Sequence, residues 1–374
     1  MITLERSGVA YLPLHGGKAP SWLVRRMIKL ADVIVKIIID EYGVHEFLRR
    51  VSNPFWFQSF GCILGYDWHS SGVTTVVSGV LRTALKHERH GLAVCGGKGK
   101  RSIQTLNDIE ITGALFNLST SKIESLKYAS RITAKIDNAA IQAGYPLYHH
   151  VFIVSEDGDW AVIQQGMNIH DKTARRYHWL STALKDYVNE PHTAIVGNVV
   201  RRRVLDMTSS NSEDCRKICV DIVKDGPHKI LNALKSIRPI CQESLDKWFS
   251  NSSTSYTIDV LYMPRSINWD ALRNAYETQP KNFEELLTIK GIGPATIRGL
   301  ALISEVIYGT PPSWRDPVKY SFAFGGKDGV PFPVNREAMD EAIKFLVEII
   351  EKAEINNSER MYSLKRLRSY YNIT

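Results

Sequence analysis

The sequence has few cysteines and no long apolar run. Its five cysteines are spread over 374 residues, and a sparse, odd set of thiols is typical of a reducing compartment rather than of a disulfide framework. No stretch of 18 uncharged apolar residues occurs, so we expect no membrane span. The first residues include Glu5 and Arg6 and lack the apolar core of a signal peptide. These absences predict a cytoplasmic protein without a membrane partner.

Acidic residues are too few to balance the basic ones. There are 39 Asp and Glu against 47 Lys and Arg, a formal charge of +8, and the pI is about 9.1. This modest excess favours a polyanionic partner. The 44% hydrophobic and 23% charged composition excludes a disordered chain. The three Gly-Gly-Lys sequences, at Gly16, Gly96 and Gly325, do not match the nucleotide-binding P-loop.

Helical periodicity is clear at the start of the chain and in its last third. Apolar residues at helical spacing predict helices over 21–43, 44–51 and 73–85. The sequence Ser121-Lys122-Ile123-Glu124 is a capping box and predicts a helix that continues to Ala143. From about Glu213 onward the chain is predicted to be almost entirely helical, with a linker at Ser250–Tyr256.

A β-hairpin is predicted in the middle of the chain. The β-rich runs 148–155 and 160–167 flank Asp157-Gly158, a dipeptide that favours a two-residue type I′ turn. Such a turn would pair His150 with Gln165 and place both on one face. We therefore predict a mainly helical α+β protein, with a mixed domain over residues 1–210 and a helical domain over residues 211–374.

The segment from Phe283 to Arg298 carries the clearest motif. An apolar helix is predicted to end at Ile289, two glycines form a turn, and Pro294 suits the first turn of a second helix. The glycines let a phosphate approach backbone N–H groups at that helix start. The segment resembles the helix-hairpin-helix motif, which holds the DNA backbone without reading sequence; an ordinary αα-hairpin is the alternative. The predicted motif spans 283–308, with DNA contacts from Lys290, Gly291, Gly293, Ala295, Thr296 and Arg298.

Positive charge is not concentrated beside this motif. Residues 265–374 contain 15 Lys and Arg against 14 Asp and Glu, whereas the preceding residues contain 32 against 25. The N-terminal part is therefore expected to contribute to any DNA-binding surface. Its basic clusters are 98–101, 175–176 and 201–203. Lys98 and Lys100 are the predicted DNA contacts. For each cluster the alternative is a run of charged residues that is exposed to water and binds no ligand.

Several long segments resemble one prokaryotic family, catalogued as domain of unknown function 763. The resemblance extends over essentially the whole chain. It implies no reaction and no catalytic residue, so function must be inferred from the side chains themselves. The segments that carry the resemblance are 12–20, 54–75, 145–150, 160–168, 176–181, 312–317 and 324–334.

Side chains capable of catalysis are concentrated in the N-terminal part. Carboxylate and imidazole groups in combination suit a hydrolase that activates water with a divalent metal. The hairpin behind a carboxylate-bearing helix resembles metal nucleases, although Gln164-Gln165 stands where their acidic-x-lysine element is expected. The alternative to a catalytic role is that these histidines are core residues whose ring nitrogens are hydrogen-bonded within the protein. The catalytic candidates are Asp67, His69, Lys135, Asp137, His149, His150, Gln165 and His178, of which Asp67, His69, Asp137 and His150 would bind Mg²⁺ or Mn²⁺.

Two further functions remain open from the sequence. Helix-hairpin-helix DNA glycosylases have an aspartate about 20 residues after the hairpin, and Asp316 follows Gly309 at a similar place. The alternative for Asp316 is an ordinary turn residue. Lys135 is a candidate for Schiff-base chemistry in an abasic-site lyase. A non-catalytic DNA-binding or scaffold protein is the third possibility. The leading hypothesis is a metal-dependent nuclease of DNA repair or processing that holds duplex or branched DNA.

Overall fold

A five-stranded antiparallel sheet lies between two layers of helices in the computed structural model. The structure describes residues 19–66, 71–197, 199–241, 264, 266–318, 336–352 and 357–371. The strand order is β1-β3-β4-β5-β6, and β2 pairs with β7 in a second, two-stranded sheet. The predicted class, mainly helical α+β, is confirmed. The strands are β1 (Leu92–Lys98), β2 (Ile141–Gln142), β3 (Leu147–Ser155), β4 (Trp160–Asn168), β5 (Thr173–Leu180), β6 (Ala194–Gly197) and β7 (Leu205–Asp206).

The helices precede, interrupt and follow the strands. Those predicted near residues 21–43, 44–51 and 73–85 are confirmed, and beyond Glu213 the described elements are all helical. The predicted linker at 250–256 lies outside the described residues. The helices are α1 (Ser21–Tyr42), α2 (Val44–Val51), α3 (Pro54–Ile63), α4 (Gly72–Ala84), α5 (His87–His90), α6 (Lys100–Ile103), α7 (Thr105–Leu115), α8 (Thr120–Lys135), α9 (Glu213–Lys224), α10 (Pro227–Cys241), α11 (Trp269–Thr278), α12 (Phe283–Thr288), α13 (Pro294–Tyr308), α14 (Arg336–Lys352) and α15 (Asn357–Tyr371).

The hairpin of β3 and β4 lies where it was predicted, but its register was predicted wrongly. Ser155 N donates to Asp159 O, and Gly158 has φ 79°. The connection therefore has three residues ending in a left-handed glycine, instead of the two residues of a type I′ turn. As a result His150 pairs with Gln164, not Gln165. A shift of one residue exchanges faces, so His150 and Gln164 lie on one side of the sheet.

Helix α8 also differs from its prediction at both ends. The side chain of Ser119 accepts from Lys122 N at 3.2 Å and caps the helix, so the predicted capping box at Ser121 is wrong. The regular helix ends at Lys135 and continues as a π-helical turn, Ile136–Ala140, which leads directly into β2. A π-turn widens the helix by one residue per turn and is frequently found at functional sites.

The two faces of the sheet have separate cores. On one face α1 to α4 pack with α14, whose Phe345, Leu346 and Ile349 are buried. On the other face α7 to α13 cover the sheet, and Ile136 and Leu300 belong to the same core. This second core includes residues on both sides of the predicted boundary at residue 210. No helix in the described ranges has the length and hydropathy needed to cross a membrane.

Candidate functional site

A continuous chain of buried polar side chains lies between α8 and the sheet. Ser130 Oγ is 2.8 Å from His150 Nε2, and His150 Nδ1 is 2.9 Å from Gln164 Oε1. Gln164 Nε2 donates to Asp137 Oδ2 at 2.6 Å, and Asp137 Oδ1 is 2.5 Å from His192 Nε2. Because the Gln164 amide donates to the carboxylate, its oxygen must accept from His150 Nδ1, which assigns the neutral tautomer of that ring.

Asp137 is the centre of this chain. It lies in the π-turn, is fully buried, and also accepts a 3.0 Å hydrogen bond from Trp179 Nε1. Burial raises the pKa of Asp137, while His192 and the Trp179 N–H act to lower it. Both carboxylate oxygens already accept hydrogen bonds, so a metal ion at Asp137 would have to displace one of these donors.

His192 connects this series of hydrogen-bonded side chains to a small pocket. The pocket has a volume of about 30 Å³, which exceeds the ~10–15 Å³ that one water molecule needs. Glu190, beside it, adopts φ 48°, a conformation uncommon for a residue with a side chain. An imidazole fixed by a buried carboxylate at a water-sized pocket has the geometry of a general base. The pocket is lined by Glu190, His192, Ala194, Ile195, Asp206, Thr208, Ser209 and Pro317.

The sheet separates the predicted catalytic residues into two groups. On the opposite face His149 Nε2 is 3.3 Å from Ser78 Oγ, and Gln165 Nε2 donates to Ser71 O at 2.9 Å. His178 lies on that face too, its ring 5.7 Å from that of Phe57. These three cannot act together with Asp137 and His150 across the sheet. Two further candidates, Asp67 and His69, lie outside the described residues.

Lys135 is the last residue of α8 and comes immediately before the π-turn. Its side chain is half-buried, and burial lowers the pKa of Lys135. Within the described part of the chain it has neither an ion pair nor a hydrogen-bond partner. A desolvated lysine without a counter-ion suits an anion or a carbonyl carbon.

The predicted hairpin residues are brought together at one turn. Gly291 has φ 90°, a conformation that a side chain disfavours, and Lys290 beside it is exposed. The turn is fixed by Gln142 of β2, whose Nε2 donates to Pro294 O at 2.8 Å. Arg298 Nε in turn donates to Gln142 Oε1 at 2.8 Å. The side chain of Thr296 is buried, so only its backbone N–H can contribute to a ligand site.

Asp316, the candidate aspartate of the glycosylase alternative, is held inside the protein. Its Oδ2 is 2.8 Å from Arg175 Nη2, and both side chains are completely buried. The same oxygen accepts from Arg201 N at 2.7 Å, and Oδ1 accepts from Val318 N at 3.1 Å. These contacts give Asp316 the structural role of joining the segment after α13 to strand β5.

Sequence reasoning missed three residues of the buried polar chain, namely Ser130, Trp179 and His192. The only local signal for His192 is its place just before a short β-rich run. Among the described residues no three His, Cys, Asp or Glu side chains are grouped so that they could hold a metal ion.

One comparison with known proteins gives a match. The sequence profile of the family described as "Protein of unknown function (DUF763)" matches residues 8–334. That span includes the buried polar chain, the His192 pocket and the α12–α13 hairpin. No curated protein and no solved structure matches the chain.

Proposed function

The chain belongs to the DUF763 family, and from its hairpin we propose that it binds the sugar–phosphate backbone of DNA without sequence preference, in DNA repair or processing. The observation that carries this proposal is the start of α13. There an exposed turn with Gly291 at φ 90° presents the helix N-terminus to solvent. The first N–H groups of a helix lack intrahelical acceptors and favour an anion.

Cationic side chains around the turn support an anionic ligand. Lys290 is exposed and directly precedes Gly291. Lys135 and Arg131 lie on α8, which is joined to the hairpin through the π-turn, β2 and the Gln142 contacts. Contacts from backbone N–H groups and from lysine or arginine to phosphate position a duplex without reading its bases.

The proposal predicts a large loss of DNA affinity for Gly291→Val. A side chain at φ 90° is strained, and its Cβ would lie 2.9 Å from Ala271 Cβ, so the turn must move. Loss of charge-assisted hydrogen bonds worth about 1.5–3 kcal/mol should weaken binding roughly 10- to 100-fold. Fluorescence anisotropy with a labelled duplex measures this effect.

Gly43→Val is the matched control for this experiment. Gly43 has φ 85° and no atom near its added Cβ, so it introduces similar backbone strain away from the hairpin. It should leave DNA affinity unchanged. Equal affinity of Gly291→Val and wild type, with circular dichroism showing both folded, would overturn the proposal.

Hydrolysis of the bound strand is a second candidate function. The observation that favours it is the 2.5 Å contact between Asp137 and His192 at a water-sized pocket. A positioned general base contributes about 10²–10⁴-fold to a reaction rate. His192→Gln should therefore abolish most cleavage while leaving DNA binding intact, when labelled DNA is incubated with Mg²⁺ or Mn²⁺.

The same assay separates the alternatives. EDTA should stop a metal-dependent nuclease. EDTA-resistant cutting at abasic sites, with a borohydride-trapped adduct that Lys135→Ala removes, would indicate a lyase instead of a hydrolase. Binding without any product on duplex, single-stranded, uracil-containing or abasic DNA, or on RNA, would reject catalysis and leave the DNA-binding function.

A further inference from the structure

The basic clusters of the N-terminal part meet at one end of the sheet. The ladders pair Lys98 with His149, Asn168 with Thr173, and Arg175 with Gly197. The end of β1, the β4–β5 connection and the segment after β6 therefore lie along the same edge. We call this edge the basic rim and define it by Lys98, Lys100, Arg101, Lys172, Arg202 and Arg203.

Among the residues that the structure describes, little negative charge opposes the basic rim. Asp171 is paired with Arg201, and Asp316 is buried against Arg175. Lys98, Lys100, Arg101, Lys172 and Arg202 are all exposed. The strong local excess of positive charge favours a polyanion at this edge.

The basic rim also exposes apolar side chains. Ile103, which follows β1, and Ile169, in the β4–β5 connection, are 80% and 71% exposed, the highest fractions of any large hydrophobic side chain in the described ranges. The β4–β5 connection is ordered, because Asn168 Oδ1 accepts from the backbone N–H groups of His170 and Asp171 at 3.0 and 3.2 Å. Both isoleucines are thus presented by structured segments between cationic residues. A partner with anionic and apolar surfaces is indicated.

The basic rim adjoins the hairpin turn. Gln142 contacts Pro294 and Arg298 at the turn. Tyr145 lies three residues after Gln142, so their Cα atoms are at most about 11 Å apart. Tyr145 lies under the rim, where Arg201 Nη2 donates to its hydroxyl at 3.1 Å. A strand held at the hairpin can therefore continue onto the rim.

We propose that the basic rim binds unpaired nucleotides adjoining the duplex that the hairpin holds, with its cations on phosphates and with Ile103 and Ile169 against base faces. This inference rests on the proposed DNA-binding function. Apolar side chains reach base faces only where stacking is broken or absent. Four inter-strand spacings make the rim about 19 Å wide, which is enough for a single-stranded segment of several nucleotides. The preferred substrate is therefore a fork or a duplex with a single-stranded arm.

The test compares a forked duplex with a blunt duplex of equal length by fluorescence anisotropy. The wild-type protein should prefer the fork by about tenfold, because the bases of the single-stranded arm remove two exposed isoleucine side chains from water. Ile103→Ser with Ile169→Ser should remove that preference and leave affinity for the blunt duplex unchanged. Ile111→Ser is the control, since Ile111 is 54% exposed on α7, and it should retain the preference.

The outcomes of the rim and the hairpin are distinguishable. Gly291→Val should weaken binding to both substrates, whereas Lys100→Ala with Arg202→Ala should reduce the salt dependence of fork binding only. No fork preference in the wild type, or a preference that survives loss of both isoleucines, would overturn the rim proposal while the hairpin result stands. Binding of phosphatidylserine vesicles that requires the isoleucines, with DNA affinity unaffected, would instead assign the rim to a membrane surface.

Discussion

Lowering the pH from 6.5 to about 4 is expected to destabilise the protein markedly, because the folded protein buries histidines in their neutral form. Burial lowers the pKa of His150 to about 4 and that of His149 to about 3, from an ordinary value of 6.5. Below pH 6.5 the unfolded chain takes up protons that the folded chain does not. The contribution of the buried histidines to the free energy of unfolding is therefore fully present above pH 6.5. It is lost as the pH falls, by about 3 kcal/mol for His150 alone.

Asp137 acts in the opposite direction, since burial raises its pKa and its protonation favours the folded state as the pH falls. Comparing wild type with His150→Asn isolates the histidine contribution. Urea unfolding followed by tryptophan fluorescence at pH 7 and at pH 4.5 should show a smaller pH effect in the variant. An identical pH dependence in both proteins would mean that His150 is not buried in neutral form.

Removing the Asp316 carboxylate should cost about 3–5 kcal/mol of unfolding free energy, the range found when one partner of a buried ion pair is deleted. Arg175 is completely buried, and its Nε and Nη1 have no hydrogen-bond partner among the described residues. Asp316→Ala would leave that charge uncompensated. It would also release the backbone N–H groups of Arg201 and Val318.

Asp171→Ala is the control for this prediction. Asp171 pairs with Arg201 near the same segment, but both side chains are partly exposed to solvent, and such pairs contribute at most about 1 kcal/mol. Denaturant unfolding of the two variants should differ by several-fold in the loss of stability. Similar losses would show that the Arg175–Asp316 pair is not a structural clamp.

The predicted hairpin shows how far local sequence signals reach. The β-rich runs around Asp157-Gly158 place β3 and β4 correctly because side-chain alternation and the glycine are local features. The register depends on one extra loop residue, which the dipeptide alone does not reveal. Likewise the capping-box pattern at Ser121 does not reveal that Ser119, two residues earlier, caps α8.

The candidate site was less accessible from the sequence because it is assembled from distant segments. Asp137 was predicted as a carboxylate on the helix before the β-hairpin, but its partners Trp179 and His192 are brought to it by β5 and by the segment before β6. The π-turn that directs Asp137 inward has no reliable sequence signal. The residues of the hairpin could be predicted together because they are contiguous in the chain.

The packing of α14 bears on where the chain can be cut. The family match ends at residue 334, two residues before this helix begins. Yet the ring of Phe345 lies against Tyr42 and under the guanidinium of Arg50, and Lys352 donates to Glu41. A fragment trimmed to the family boundaries would expose the apolar surface of α1 and α3. Expression designs that keep residues 336–352 preserve that surface, although every proposed functional residue lies before them.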